Sequence, residues 1–161
     1  MEEILTYMEM TGLDELRPAE PVTGLALERV HPGSALIPVT LARIGAAYNW
    51  TSATRTEEEW AEWLSHPSRQ YWLIKLGMET AGIVDLEPHP GEVEITTFGL
   101  LPEYLGQGLG GYALTLAVRQ AWRVQPDGTG PARRVWLHTS SDDHPNAIPN
   151  YERRGFRVFQ P

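Results

Sequence analysis

The feature that most constrains this chain is a glycine-rich turn between a strand pattern and a helix pattern. Four of the six residues at positions 106–111 are glycine. The helix that follows is predicted to run to about Arg123. Its apolar stripe consists of Leu109, Ala113, Leu116 and Ala117. Glycine lets a backbone approach a ligand closely, and the first N–H groups of a helix have no partner within it. The turn therefore predicts a cradle for a pyrophosphate group.

A dinucleotide-binding fold is one alternative, because Gly106, Gly108 and Gly111 satisfy the pattern G-x-G-x-x-G. That pattern expects an acidic residue about 20 positions later, at the end of the next strand. Here Asp127 falls in a predicted turn, and the acidic pair at 142–143 comes too late. Only 50 residues follow the last glycine, too few for a doubled mononucleotide unit. The context therefore disfavours a dinucleotide fold.

The rest of the chain predicts strands and helices around one sheet. Residues 4–10 are compatible with a short strand or a frayed helix. The segment 133–139 is apolar on both faces, which predicts a central strand. The predicted strands are 22–30, 70–76, 80–86, 92–101, 133–139 and 156–159. Four helices are predicted. The first has an apolar face at Ile37, Leu41, Ile44 and Tyr48, and the second begins with a capping box at Thr56 and Glu59. The third follows the glycine-rich turn, and the fourth spans 146–154. This order predicts an α+β or mixed α/β domain.

Two segments of the C-terminal half resemble the GNAT (Gcn5-related N-acetyltransferase) superfamily. Positions 105–110, LGQGLG, resemble its acetyl-CoA motif (R/Q)-x-x-G-x-(G/A), with Leu105 in the place of Arg or Gln. Positions 147–156 resemble the family segment A-x-x-x-Y-x-x-x-G-(F/Y), and 98–104 is similar to its strand end. The element order fits over 22–160. The two motifs stand at the separation that the family uses.

The resemblance implies an α/β (α+β) fold with a mixed, mostly antiparallel sheet of about six to seven strands, flanked by about four helices. It also implies a single domain over 1–161, in which residues 1–20 form an N-terminal extension of uncertain structure. Three positions depart from the family pattern. His144 stands where the family often has Asn, and Pro149 is expected to remove a backbone donor and to bend the last helix. Leu105 leaves the phosphate contact to backbone amides.

In function, the resemblance implies transfer of an acetyl group from acetyl-CoA to a primary amine of a small molecule or peptide. The chain has no Cys, which is consistent with direct attack in a ternary complex. The residues that the resemblance assigns to acetyl-CoA are Phe98, Leu100, Leu101, Leu105, Gly106, Gln107, Gly108, Leu109, Gly110, Gly111 and His144. The alternative is a non-catalytic acyl-CoA-binding sensor, which would keep the cradle but need neither acid nor base.

Tyr151 matches the family position of the tyrosine that protonates the CoA thiolate. A phenol with a pKa of about 10 is protonated at neutral pH and can donate to a sulfur that develops charge. The thioester carbonyl would accept a hydrogen bond from a backbone N–H of residues 98–100. Gly99 within this strand indicates a bulge or a close backbone approach that would expose those groups.

The general base is open between several residues. Counting by twos places Glu94 on the strand face of Thr96, Phe98 and Leu100, and its spacing resembles that of the glutamate base in protein-acetylating members. Four residues of strand span about 13 Å, so a water molecule would have to relay the proton. The rivals are His138, the group Asp142, Asp143 and His144, and solvent itself.

Acceptor recognition in the family often involves the first two helices and the loop between them. The corresponding candidates here are Tyr48, Trp50 and Arg55, with His138 from a later strand. Aromatic rings can stack on a ring or hold a cation, and Arg55 can attract a carboxylate. These residues do not fix the acceptor.

The charge of the chain excludes some partners. The formal net charge is −8 at pH 7, and the cationic residues, twelve Arg and the single Lys75, form no basic tract. A nucleic-acid partner is therefore not expected. The acidic N-terminus Met1–Glu3 and the lack of a long apolar run predict a cytoplasmic protein with no membrane partner. No metal site is expected, and the resemblance is compatible with a homodimer.

Overall fold

The described residues form a seven-stranded sheet with helices on both faces. The structure is a computed structural model that describes residues 2–126, 128 and 130–161, so Met1 and the predicted turn residue Asp127 lie outside the described residues. The strands are β1 (Leu5–Met10), β2 (Leu25–Val30), β3 (Gln70–Leu76), β4 (Glu79–His89), β5 (Glu92–Leu100), β6 (Arg134–Ser140) and β7 (Arg157–Val158). The α-helices are α1 (Leu36–Gly45), α2 (Glu57–Leu64), α3 (Gly110–Arg123) and α4 (Ala147–Arg153). The predicted fold class is confirmed.

The strand order is β2-β3-β4-β5-β6-β1-β7, and the pairing is antiparallel except between β5 and β6. Strand β6 lies inside the sheet, as predicted, but it is not apolar on both faces. Val135 and Leu137 are fully buried, whereas His138 on the opposite face is exposed. The last strand, β7, is shorter than predicted.

Leu5–Met10 form an interior strand, which is one of the two predicted alternatives for this segment. Strand β1 pairs with β6 on one side and with β7 on the other. Met8 and Met10 are fully buried beneath α3 and α4. The backbone N–H of Ile4 donates to Ser141 Oγ at 2.9 Å, across 137 positions of the chain. The N-terminal segment is therefore integral to the sheet.

Helices α1 and α2 cover one face of the sheet, and α3 and α4 cover the other. Neighbouring residues of β4 show this, because Ile83 packs with α1 and Val84 packs with α3. The predicted apolar face of α1 is confirmed by the burial of Ile37, Leu41 and Ile44. None of the helices in the described part of the chain is long and apolar enough to cross a membrane.

The capping box predicted before α2 is present. Thr56 Oγ1 accepts a hydrogen bond from the Glu59 N–H at 3.2 Å, and Glu59 Oε1 accepts one from the Thr56 N–H at 2.9 Å. These reciprocal bonds satisfy two donors at the start of the helix.

Strands β5 and β6 separate after a short parallel contact. Their pairing ends where Glu94 meets Trp136. From Ile95 onward, the ladder partners of β5 among the described residues all lie on β4, so its other edge faces an opening. Thr96 is skipped in the β4–β5 register, because Ile95 pairs with Leu86 and Thr97 pairs with Asp85. The bulge predicted at Gly99 therefore lies at Thr96 instead.

Candidate active site

The first cavity lies in the opening beyond the β5–β6 contact and has a volume of about 340 Å³. The C-terminal half of β5, the glycine-rich turn, the start of α3 and helix α4 form its walls. The predicted acetyl-CoA residues in its lining are Phe98, Leu100, Leu105, Gly106, Gly108, Leu109, Gly110, Gly111 and His144. Tyr48, predicted for the acceptor, also lines this cavity.

Two predicted acetyl-CoA residues do not line this cavity. Leu101 is buried in the core under α1, and its N–H donates to the Ala81 carbonyl at 2.7 Å. Gln107 turns back along its own loop, where its Nε2 donates to the Glu103 carbonyl at 2.7 Å. The Leu101 side chain therefore belongs to the core, and the Gln107 side chain braces its own loop.

The glycine-rich turn owes its shape to two left-handed residues. Gly106 and Gly108 have φ values of 73° and 75°, a region that side chains with a Cβ rarely adopt. Helix α3 begins at Gly110, and no side chain caps its first turn. Its first N–H groups have no partner within the helix. A Cβ at Gly111 would lie 2.6 Å from Arg154 Nη1.

Arg154 brings an unpaired cation to this helix start. Its Nε is buried, and no hydrogen-bond partner for it exists among the described residues. Burial lowers the pKa of its guanidinium, and the neighbouring Arg153 lowers it further. Both arginines line the first cavity. A pyrophosphate would satisfy an orphaned donor here, so the residues fit the phosphates of CoA.

Tyr151 stands where the two cavities adjoin. Its ring packs edge-on against Phe156 with centroids 6.0 Å apart, and only 8% of the residue is exposed. It lines the first cavity and also a second one. Burial raises the pKa of its phenol, and the negative charge of Asp143 raises it further. The hydroxyl therefore stays protonated at neutral pH.

The second cavity, about 330 Å³ in volume, lies between β5, β6 and the α1–α2 connection. Three predicted acceptor residues line it, namely Trp50, Arg55 and His138. Trp50, Phe98, Asp143 and Tyr151 line both cavities, so the two spaces are neighbours. The arrangement offers one space to a phosphate-bearing ligand and another to a smaller partner.

Asp143 holds Trp50 between the cavities. Its Oδ1 accepts a hydrogen bond from Trp50 Nε1 at 2.8 Å. Its Oδ2 accepts from Thr139 Oγ1 at 2.7 Å and from the Ser140 N–H at 2.9 Å. Both oxygens are thus engaged, and Asp143 serves to position an aromatic wall.

At Gly99, β5 passes close to α1. A Cβ on this residue would lie 2.8 Å from Ile44 Cγ2 and 3.3 Å from Trp50 Cη2. The close approach predicted as one explanation for this glycine is therefore present, in the form of packing against a helix and a ring. The backbone of residues 98–100 remains next to the first cavity.

Glu94 does not lie on the strand face predicted for it. It pairs with Glu87, whereas Phe98 pairs with Val84. Positions 84 and 87 of β4 point to opposite faces, so Glu94 and Phe98 do as well. The extra residue at Thr96 reverses the alternation on which the counting relied.

Glu94 lines neither cavity and belongs to a cluster with two histidines. His89 Nε2 lies 3.1 Å from Glu94 Oε1 and also 3.1 Å from Glu87 Oε2. His138 Nδ1 lies 3.8 Å from Glu94 Oε2. Glu94 therefore reaches the second cavity only through His138. Ligand atoms of Glu87, His89 and Glu94 lie within 4.8 Å of one another.

Asp85, a fully buried carboxyl group, lies behind the second cavity. It pairs with Thr97 of the lining, and both of its oxygens are buried. Burial raises its pKa to about 7, and the nearby Thr97 hydroxyl and the Arg69 and Arg55 guanidinium groups offset this only in part. The folded protein therefore binds this proton more tightly than the unfolded chain does.

Asp85→Asn should consequently stabilise the protein at high pH only. As the pH rises from about 4 to 7, Asp85 ionises in the unfolded chain but stays protonated in the folded protein, so the free energy of unfolding falls. This loss of stability is complete above pH 7. We expect the variant to raise the Tm by about 5 °C or more at pH 8 and by little at pH 4.5 in thermal melts. Asp142→Asn, at an exposed position, is the control. An equal shift at both pH values would contradict the assignment.

Comparisons with known proteins concern the family and the fold of the chain. A model of the acetyltransferase (GNAT) family matches residues 40–156, which is more than half of the chain. The chain belongs to the GNAT acetyltransferase family. Acyl transfer is the general chemistry of that family. A search of the curated proteins found no significant match.

Solved GNAT structures share the fold. A GCN5-related N-acetyltransferase from Kribbella flavida is 22% identical with a TM-score of 0.64, covering 97% of this chain and 56% of that one. Another from Sphaerobacter thermophilus is 15% identical with a TM-score of 0.64, covering 98% and 48%. The IAA acetyltransferase from Bacillus cereus ATCC 14579 is 21% identical with a TM-score of 0.58, covering 84% and 79%. The chain spans about half the length of the first two.

The three departures from the GNAT pattern have local explanations. Pro149 is the third residue of α4, where a backbone N–H has no partner within the helix, so it removes no helical bond there. His144 lines the first cavity, and its Nδ1 accepts the Asn146 N–H at 3.0 Å, which shapes the entry to α4. Leu105 contributes apolar lining. Pro149 does lack the backbone donor, as predicted, but the helix loses no hydrogen bond because of it.

Arg154 is a residue of the first cavity that the sequence reasoning missed. Its signal was its place directly before Gly155 in the second motif. Gly155 has a φ of 107°, and a Cβ there would collide with the Glu15 carbonyl, so the chain must turn sharply at this point. The turn follows α4 and leaves Arg154 against Gly111. The family motif specifies the glycine at position 155 but not the residue before it, so it does not show that Arg154 lies against Gly111.

Arg154→Gln should weaken acetyl-CoA binding about tenfold, because one charge-assisted contact to phosphate is lost. Isothermal titration calorimetry at two salt concentrations measures the effect, and the salt dependence of Kd should become shallower. Arg29→Gln is a suitable control, since Arg29 lies outside both cavities. An unchanged Kd would remove Arg154 from the binding site.

Proposed function

We propose that this chain is an acetyl-CoA-dependent N-acetyltransferase that acetylates a primary amine of a small molecule or peptide, with residues 1–161 acting as one domain. The observation that carries the proposal is the place of Tyr151, a protonated phenol in the lining of two adjoining cavities. A group in this position contacts both partners of a direct transfer. Family membership supports the same chemistry.

Acetyl-CoA binds in the first cavity. Its pyrophosphate accepts hydrogen bonds from the uncapped N–H groups at the start of α3 and pairs with Arg154. The thioester lies along residues 98–100, whose strand edge has no ladder partner on the side of β6. A backbone N–H from this edge donates to the thioester oxygen and stabilises the negative charge that develops there.

The amine binds in the second cavity and attacks the thioester carbon. The new C–N bond replaces the C–S bond, and Tyr151 donates its proton to the departing sulfur. His138 lines this cavity and accepts the proton that the amine loses, and Glu94 stabilises the resulting imidazolium from behind. Glu94 thus acts as a positioning residue, in place of the water relay suggested by its spacing.

Calorimetric titration with acetyl-CoA, followed by thiol-release assays over a panel of amines, tests the proposal. We expect saturable binding and CoA release that depends on an amine. Absence of acetyl-CoA binding would overturn the proposal. Binding without release on any amine would replace it with a non-catalytic acyl-CoA-binding role.

A further inference from the structure

Arg55 is held rigidly at one wall of the second cavity. Its guanidinium carbon lies 4.7 Å from the ring centroid of Trp60 and 4.7 Å from that of Trp63. Its Nη2 donates to Thr51 Oγ1 at 3.3 Å. The half-buried side chain lines the cavity together with Trp63. Two rings therefore fix the guanidinium and reduce the entropy it would lose on binding a ligand.

No carboxylate neutralises this cation. Within the described part of the chain, Arg55 has no acidic group within 4 Å, whereas Arg69 is paired with Glu87 at 2.6 Å. The acids that act on Arg55 from a greater distance are Asp85 and Glu59. Asp85 is fully buried, and Glu59 is bonded to the helix cap. Burial outweighs both of them and lowers the pKa of Arg55.

The same cavity offers the opposite charge elsewhere in its lining. Asp143 and Glu3 contribute carboxylates, and Tyr151 stands beside Asp143. Glu3 Oε2 accepts a hydrogen bond from Ser140 Oγ at 2.7 Å. An ammonium group is attracted to this part of the lining, close to the proposed site of transfer. The cavity is therefore bipolar.

We propose that Arg55 forms a carboxylate subsite, so that the acceptor carries a primary amine and a carboxylate in one molecule, as an amino acid does. A planar guanidinium binds a carboxylate through two parallel N–H···O bonds. The acidic residues of the lining and the net charge of −8 disfavour a more highly charged anion such as a phosphate. The volume of about 330 Å³ suits a small acceptor. This proposal rests on the proposed function for the role of the amine.

Paired acceptors that differ only in the carboxylate provide the kinetic test. Amino acids and their amides are compared by thiol release, with the wild type and with Arg55→Gln, Arg55→Lys and Arg29→Gln. Arg29 is a matched control, because it also lies over a tryptophan, Trp72, at 5.9 Å and lines neither cavity. We expect kcat/KM to favour the acid over the amide by about tenfold or more in the wild type. Arg55→Gln should abolish that preference, Arg55→Lys should restore part of it, and Arg29→Gln should leave it intact.

A binding measurement separates this proposal from the proposed function. N-acetyl amino acids, the reaction products, are titrated calorimetrically into the same variants, with N-acetyl amino acid amides as the comparison. We expect the wild type and Arg29→Gln to bind the acid about tenfold more tightly than the amide, and Arg55→Gln to bind both equally. This binding measurement does not depend on turnover. An absence of thiol release would therefore contradict the proposed acetyltransferase activity but not the carboxylate subsite.

Three results would overturn the carboxylate subsite. The first is a wild type that binds acids and amides with equal affinity. The second is an Arg55→Gln variant whose affinities for the acid and the amide fall by the same factor, so that the preference for the acid remains. The third is a clear preference of the wild type for phosphorylated amines over carboxylates. Thermal melts of Arg55→Gln and Arg55→Lys accompany the titrations. Arg55→Lys keeps the charge over the two rings, so selectivity can still be measured if Arg55→Gln does not fold.

Discussion

Tyr151→Phe should lower kcat by about 10²–10⁴-fold while leaving the Kd for acetyl-CoA unchanged within about twofold. The phenol is the proposed acid, and the substitution removes only its hydroxyl group. The phenylalanine ring keeps the edge-on contact with Phe156, so the fold should be preserved. Thiol release gives kcat, and calorimetry gives the Kd.

The control for this substitution is Tyr71→Phe. Tyr71 is also a buried tyrosine, but it lies under α1 and lines neither cavity. The kcat of Tyr71→Phe should stay within about twofold of the wild-type value. A Tyr151→Phe variant with undiminished kcat would show that another group, or water, protonates the leaving sulfur.

Gly108→Val should weaken acetyl-CoA binding about 100-fold. The residue has a φ of 75°, so a β-branched side chain must move the backbone out of the left-handed region. The shift misdirects the N–H groups of the turn and of the first residues of α3, and each lost bond to a charged phosphate is worth about 1.5–3 kcal/mol. Calorimetric Kd values for acetyl-CoA measure the effect.

Gly77→Val is a closely matched control for the glycine turn. Gly77 has a φ of 61°, and a Cβ on it would meet nothing within 4 Å, as at Gly108. It lies in the β3–β4 hairpin, away from both cavities. Both variants should lose a similar amount of stability, and only the one at Gly108 should lose affinity. Equal affinities of the two variants for acetyl-CoA would mean that the glycine-rich turn does not bind the phosphates.

Sequence reasoning succeeded where the chemistry is local in the chain. The glycine-rich turn at 106–111, the helix that follows it and the capping box at Thr56 are each specified within a few positions. Most of the residues that the motif indicated line the first cavity, because the conformation of the turn is determined by residues next to one another in the chain.

It failed where distant pairing decides the outcome. Residues 4–10 alternate too weakly to decide between a strand and a helix, and Leu5–Met10 become a strand because β6 and β7 lie on either side. Glu94 was assigned to the wrong face because a single unpaired residue, Thr96, is invisible in a count by twos. The cluster around His89 likewise forms only when β4 and β5 are side by side.

The interior position of β1 has a consequence for the order in which the molecule is assembled. Its pairing partner β6 follows more than a hundred residues later, as the bond from Ile4 to Ser141 across 137 positions illustrates. During synthesis on the ribosome, β1 therefore emerges long before anything can cover Met8 and Met10. The hairpins of β3, β4 and β5 can form meanwhile, since their contacts are short-range. The second cavity, which Leu5 helps to line, closes only when the last quarter of the chain has joined the first strand.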